Sequence, residues 1–287
     1  MHVTRSVFER SNGPLVRYLS PRALRWCAIR RNLLGIVPVI VYQMAKVGSS
    51  SVVAGLEAAR LPAFHVHRMD VEHLHKMREN RRALGWSIPP VPAHDHLGLR
   101  LRDELIDRGG RAAIVTLVRD PIARNISSYF EHLDSIWNRP NAHESVSLEL
   151  LIEGFRTRYT HEEPLTWFDD EMLPVMGIDV YEHPFPASGH VVVRREKIDL
   201  LIMKSELPDG TKAEALSQFL GMRGLALTPA NRTSDKTKGL MYRQFLEALQ
   251  LDDQYVEQML ENRFTRHFYT SAELDSLRRR YSNRTLS

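Results

Sequence analysis

Two short stretches hold residues of the kinds that grip anionic groups. The first is Lys46-Val47-Gly48-Ser49-Ser50-Ser51, which follows the apolar, β-branched run Ile36–Met44. An apolar run of this length reads as a buried strand, and a Gly/Ser turn that opens a helix leaves backbone N–H groups pointing at whatever sits above the helix. That end of a helix carries partial positive charge and prefers anions. Lys46 adds a full charge, and the serines add hydroxyl donors. The spacing is not that of the Walker loop, G-x-x-x-x-G-K-[ST], because Lys46 precedes Gly48 and the earlier glycine is missing.

The second stretch is TLVRDPIARNISSYFEHL, residues 116–133. Arg119 ends a buried strand, and Ser127 lies about two turns into the next helix. Arg124 stands between them. A guanidinium holds phosphate through two parallel hydrogen bonds, and a hydroxyl on the helix supplies a further contact. Asp120 suits the capping position and Pro121 the first helical position.

The elements that must position these groups alternate. Strands are expected at 36–44, 63–68, 112–118 and 198–204. Helices are expected at 52–60, 71–84, 97–107, from 121 to about 137, and at 146–156, 211–220, 240–262 and 271–280. Three prolines make 86–93 an irregular loop. Strand–helix alternation implies βαβ units, hence an α/β fold with three layers, a central parallel sheet flanked by helices. Ligands in such sheets sit at the carboxyl ends of the strands, where both stretches fall. The chain reads as one domain, 1–287, with a basic segment at 1–32.

Together the two stretches resemble the PAPS-dependent sulfotransferase family, whose donor is 3′-phosphoadenosine 5′-phosphosulfate. Ala45–Ser51 is similar to its 5′-phosphosulfate loop. Arg119-Asp120-Pro121, Arg124, Ser127 and Tyr129 are similar to its 3′-phosphate motif, R-D-P-x-x-R-x-x-S-x-Y. The resemblance implies the family's P-loop-like fold, PAPS as donor and 3′,5′-ADP as product. It also implies a basic loop over the nucleotide, a role for Arg232, Lys236 and Lys238. A sulfuryl acceptor must lose a proton, which is work for histidine near neutral pH. The segment Ala93–Leu99 occupies a place that resembles the His-x-His segment of glycosaminoglycan uronyl sulfotransferases. His96 is therefore the first candidate base and His94 the second, with His67 as the rival. The segments TWFDDEM and GIDVYEHPF are similar to bacterial proteins of capsular polysaccharide synthesis, which points to a carbohydrate acceptor.

Other classes fit less well. A sugar kinase or small-molecule kinase using ATP needs a Walker lysine and a carboxylate for Mg²⁺, for which Asp120 is the candidate. A catalytically inactive glycan-binding module on the same fold is the alternative outside enzymes. The pairs His65/His67, His73/His75 and His94/His96 bring no third ligand by spacing, so no metal site is expected. The net charge of +4 is too small to imply nucleic acid. One cysteine, Cys27, excludes an internal disulfide. No apolar run reaches membrane-spanning length, so a cytoplasmic chain is expected. Seven arginines in residues 1–31 allow peripheral membrane contact.

Overall fold

The computed structural model describes residues 37–61, 63–227 and 236–282. The expectations for the basic segment 1–32 and for Arg232 lie outside the described residues. The described chain divides into two compact units, each drawn from several stretches. The first takes 37–71, 91–118 and 168–227; the second takes 72–90, 119–167 and 236–282.

The first unit is α/β. Its five strands are β1 (Val39–Tyr42), β2 (Ala63–Val66), β3 (Ala112–Val118), β4 (His190–Arg194) and β5 (Ile198–Lys204). They lie in the order β2-β1-β3-β5-β4. The pairings β1–β2, β1–β3 and β3–β5 are parallel. Every residue of β1, β3 and β5 is buried. Strands covered on both faces lack alternation and read as continuous apolar runs, which is why the sequence reveals them. β4 corrects the all-parallel expectation, because it pairs with β5 antiparallel. It is the edge strand, its residues are mostly half-exposed, and arginine flanks its apolar core. Arg194 and Asp199 close this hairpin with a 2.9 Å ion pair.

From β1 the chain crosses to β2 on one side and then to β3 on the other. The sheet therefore switches direction between β1 and β3, the place where open α/β sheets hold ligands. Helix α1 (Ser50–Ala58) starts directly after the loop that leaves β1. Helix α2 (Ala93–Leu101) begins four residues before its expected start.

The second unit is helical, built on α3 (Pro121–Glu131). Its core gathers Ile122, Ile126, Tyr129 and Phe130 from α3 with Trp86, Phe155, Tyr159, Phe245, Met259 and Tyr281. Aromatic rings of this size bury about 150–250 Å² each and dominate such a core. The helix expected at 240–262 is two helices, Lys236–Ala248 and Asp253–Leu260. Asp252 starts the second by accepting a 2.7 Å hydrogen bond from the Tyr255 N–H.

Candidate functional site

In the first unit the loop after β1 is tight. Lys46 has φ 71° and Gly48 has φ 84°. Left-handed backbone costs a residue with a Cβ roughly 1–2 kcal/mol, so Lys46 is held against its preference. Gly48 also lacks room, since a Cβ there would lie 2.9 Å from Ser205 Oγ. Ser49 precedes α1 without capping it by its side chain, and the first turn of α1 holds no acid. The Ser49 hydroxyl instead lies 3.1 Å from His65 Nε2. Val47, Ser49 and Ser51 are buried, Gly48 is exposed, and Lys46 and Ser50 are half-buried. The six residues thus divide between packing and presentation.

His65 belongs to a row of imidazoles. Val41 of β1 pairs with His65 of β2, so these two share one sheet face, and His67 follows directly after β2. The rings of His65 and His67 meet edge-on at 4.7 Å, and those of His67 and His94 at 4.9 Å. His67 Nδ1 donates to the Gln43 carbonyl at 3.0 Å, which leaves Nε2 as the lone-pair nitrogen of the neutral ring. Burial, and then His65, pushes the His67 pKa down to about 3. Burial, and then His94, lowers that of His65. Both rings are therefore neutral at neutral pH.

Packing delivers His94 to this row. A Cβ on Gly98 would fall 1.9 Å from the Arg68 carbonyl oxygen, so α2 lies against residue 68 only because Gly98 has none. Buried Arg68 and Asp95 pair at 3.5 Å across the same contact. The segment after β2 is fixed in turn by Glu171. Its fully buried carboxylate accepts from the N–H groups of Met69 at 2.8 Å and Asp70 at 3.1 Å, and from the Tyr42 hydroxyl. Arg102 and Asp70 add a 2.5 Å ion pair.

The histidine segment lies between the proline-rich loop at 86–93 and the helix expected from 97. It is helical from Ala93, because Pro92 in extended backbone sets the start and Asp95 falls in the favourable first turn. Residues two apart on a helix point to diverging sides. His94 accordingly joins the row, with its side chain 42% exposed, while His96 is exposed away from these rings. Glu171, which fixes the backbone at Met69 and Asp70, was missed in the sequence; its signal was the acidic cluster of TWFDDEM.

In the second unit, most of the Arg-Asp-Pro motif is internal. Asp120 Oδ1 accepts from Ile122 N–H at 2.9 Å and Ala123 N–H at 3.3 Å, and Tyr281 donates to Oδ2. Asp120 is the cap and Pro121 the first helical residue, as their types suggest. Burial raises the Asp120 pKa, and the Tyr281 hydrogen bond opposes that rise. Arg124 has no exposed surface and pairs with Glu163 at 2.6 Å. It also donates to Asn125 Oδ1 at 3.2 Å. The Tyr129 hydroxyl donates to the Leu151 carbonyl at 2.8 Å. Arg119 and Ser127 are half-buried. Of the basic residues assigned to a nucleotide-covering loop, Lys236 and Lys238 stand in the helix Lys236–Ala248, and Lys238 is half-buried.

Among the described residues no group of three or more His, Cys, Asp or Glu is arranged to hold a metal ion. Among them, too, no helix is long and apolar enough to cross a membrane.

Residues 143–270 match the model of a family described as "Putative capsular polysaccharide synthesis protein". The match spans TWFDDEM and GIDVYEHPF, the segments whose likeness to such proteins is visible in the sequence, and it covers neither strand-to-helix junction. No curated protein and no solved structure matches the chain.

Proposed function

We propose that this chain transfers a sulfuryl group from PAPS to a hydroxyl of a carbohydrate. The observation that carries the reading is the loop after β1. A left-handed Lys46 and Gly48 lead into the N-terminus of α1, which has no acid in its first turn. An anion-receiving turn has this character, and it stands at the carboxyl edge of a parallel sheet. The backbone N–H groups of Gly48, Ser49, Ser50 and Ser51 would hold the 5′-phosphosulfate. Arg119 and Ser127 would hold the 3′-phosphate, with Lys238 and its neighbours over the nucleotide. Arg124, paired with Glu163, would keep α3 in place rather than touch the ligand.

The reaction needs two things from the protein. As the bond from sulfur to the bridging oxygen of the 5′-phosphate breaks, negative charge grows on that oxygen, where Lys46 would stabilise it. As the bond from the acceptor oxygen to sulfur forms, the acceptor proton must leave. His94 is the better placed base, because it is the exposed end of the imidazole row and His96 is not part of that row. The carbohydrate acceptor is supported by the description of the family matched at 143–270. The kinase alternative loses support, because the carboxylate it requires, Asp120, is buried under Ile122, Ala123 and Tyr281.

The test is sulfuryl transfer from labelled PAPS to a panel of bacterial capsular polysaccharides. Transfer of label without Mg²⁺ supports the reading. Phosphate transfer from Mg·ATP to the same panel, with no sulfate transfer, would replace it.

A further inference from the structure

One polar contact connects the anion loop to the imidazole row. Ser49, last residue before α1, places its hydroxyl 3.1 Å from His65 Nε2 instead of capping its own helix. A second, independent observation lies beside the same row. Gln43 is fully buried at the end of β1, and neither atom of its side-chain amide has a hydrogen-bond partner. Its backbone carbonyl accepts from His67 Nδ1 at 3.0 Å, so it neighbours the imidazole row. Buried amides without partners are rare and call for one, and a group bound beside this loop would supply it. The charged and titratable groups around His65 are His67 and Arg68 directly after β2, His94 and Asp95 on α2, and Glu57 on α1.

We propose that His65 works with the anion-binding loop, and that a phosphate-type anion binds there together with a proton held on His65. The physical argument is direct. In the free protein His65 and His67 are neutral, because burial and their neighbours disfavour the charged ring. A phosphate group above Ser49 brings negative charge near His65, which favours the imidazolium. A group whose proton affinity rises on binding takes up a proton between the two pKa values. The protonated Nε2 then donates toward Ser49 Oγ, leaving the serine hydroxyl hydrogen for the anion. This deepens the reading given under Proposed function and rests on its loop, but not on the 3′-phosphate.

The experiment is calorimetry with the whole chain at neutral pH, in phosphate-free buffers of different ionisation enthalpy. The probes are 3′,5′-ADP and 5′-AMP. Proton uptake approaching one per anion is expected for both. In His65→Gln, which keeps a hydrogen-bonding side chain without the titration, uptake should fall below half a proton. Affinity should fall about tenfold at neutral pH and much less at alkaline pH, where the wild-type ring stays neutral. Binding without proton uptake in the wild type, or unchanged uptake in His65→Gln, overturns the proposal while leaving the PAPS reading intact. Uptake that depends on His65 with equal affinity for the two probes supports the proposal and removes the PAPS reading. No binding of either probe overturns both.

Discussion

The two strand-to-helix junctions use similar residues for different ends. At the first, the loop after β1 holds Lys46 in left-handed backbone and sends Ser49 to His65 rather than to its own helix. At the second, charge is spent on architecture: Asp120 caps α3, and Arg124 is sealed against Glu163. Strain and an uncapped helix start are features that a ligand would use; a satisfied cap and a buried ion pair are features that a fold uses. The comparison teaches that one motif can hold hands and scaffolding in adjacent positions, and that burial separates them.

The sharpest break in this comparison should come from the histidines. His94→Ala should lower sulfuryl transfer about 10²–10⁴-fold, while His96→Ala stays within a few-fold of wild type. Measured kcat for the two variants decides it, and the reverse order would return the base to the exposed side of α2. Next in size is Arg124→Ala. Removing one partner of a buried ion pair leaves the other charge uncompensated, at about 3–5 kcal/mol. Urea unfolding should show this loss, and Arg124→Met with Glu163→Leu should restore most of it. A loss of nucleotide affinity without a loss of stability would instead make Arg124 a ligand contact.

At the first junction turnover and stability should not fall together. Lys46→Gly should reduce turnover about 10²-fold or more, since the role proposed for Lys46 is to stabilise charge on the leaving oxygen. The same variant should hold its stability or gain up to about 1 kcal/mol, because relief of the left-handed backbone outweighs the greater freedom of glycine in the unfolded chain. Lower stability together with lower turnover would show that Lys46 serves structure.

A smaller effect separates the histidines by pH. His132 is buried in the helical unit, and burial followed by Arg81 lowers its pKa to about 4. The unfolded chain, with an ordinary histidine, binds more protons than the folded one below about pH 6.5. Stability is therefore complete above that pH and falls as pH drops, by about 2 kcal/mol for this group between pH 6.5 and 5. His67 acts with the same sign. His132→Phe should flatten the urea midpoint over that window, and an unchanged slope would mean the ring is solvated.

Much of the sheet was legible in the sequence, because Ala112–Val118 and Ile198–Lys204 are apolar on both faces. β4 was not, because an edge strand needs fewer apolar positions and its arginines mask the run. The two candidate junctions were visible through their local spacing. What their side chains do was less visible, since it depends on distant partners: Glu163 for Arg124, Glu171 for the backbone after β2, Tyr281 for Asp120. The choice between His94 and His96 turned on where α2 starts and on how Gly98 lets it approach residue 68. Such contacts are set by packing and leave no periodic trace.

The proposed function turns on recognition of a 3′-phosphorylated nucleotide, with Arg119 and Ser127 as the proposed partners of its 3′-phosphate. Calorimetric titration of 3′,5′-ADP and 5′-AMP without Mg²⁺, into wild type and Arg119→Ala, tests it most directly. The account predicts that wild type prefers 3′,5′-ADP. It also predicts that Arg119→Ala loses about 2–5 kcal/mol of that binding and little of the binding to 5′-AMP. Equal losses for the two nucleotides, or binding that requires Mg²⁺ and favours ATP, would contradict it.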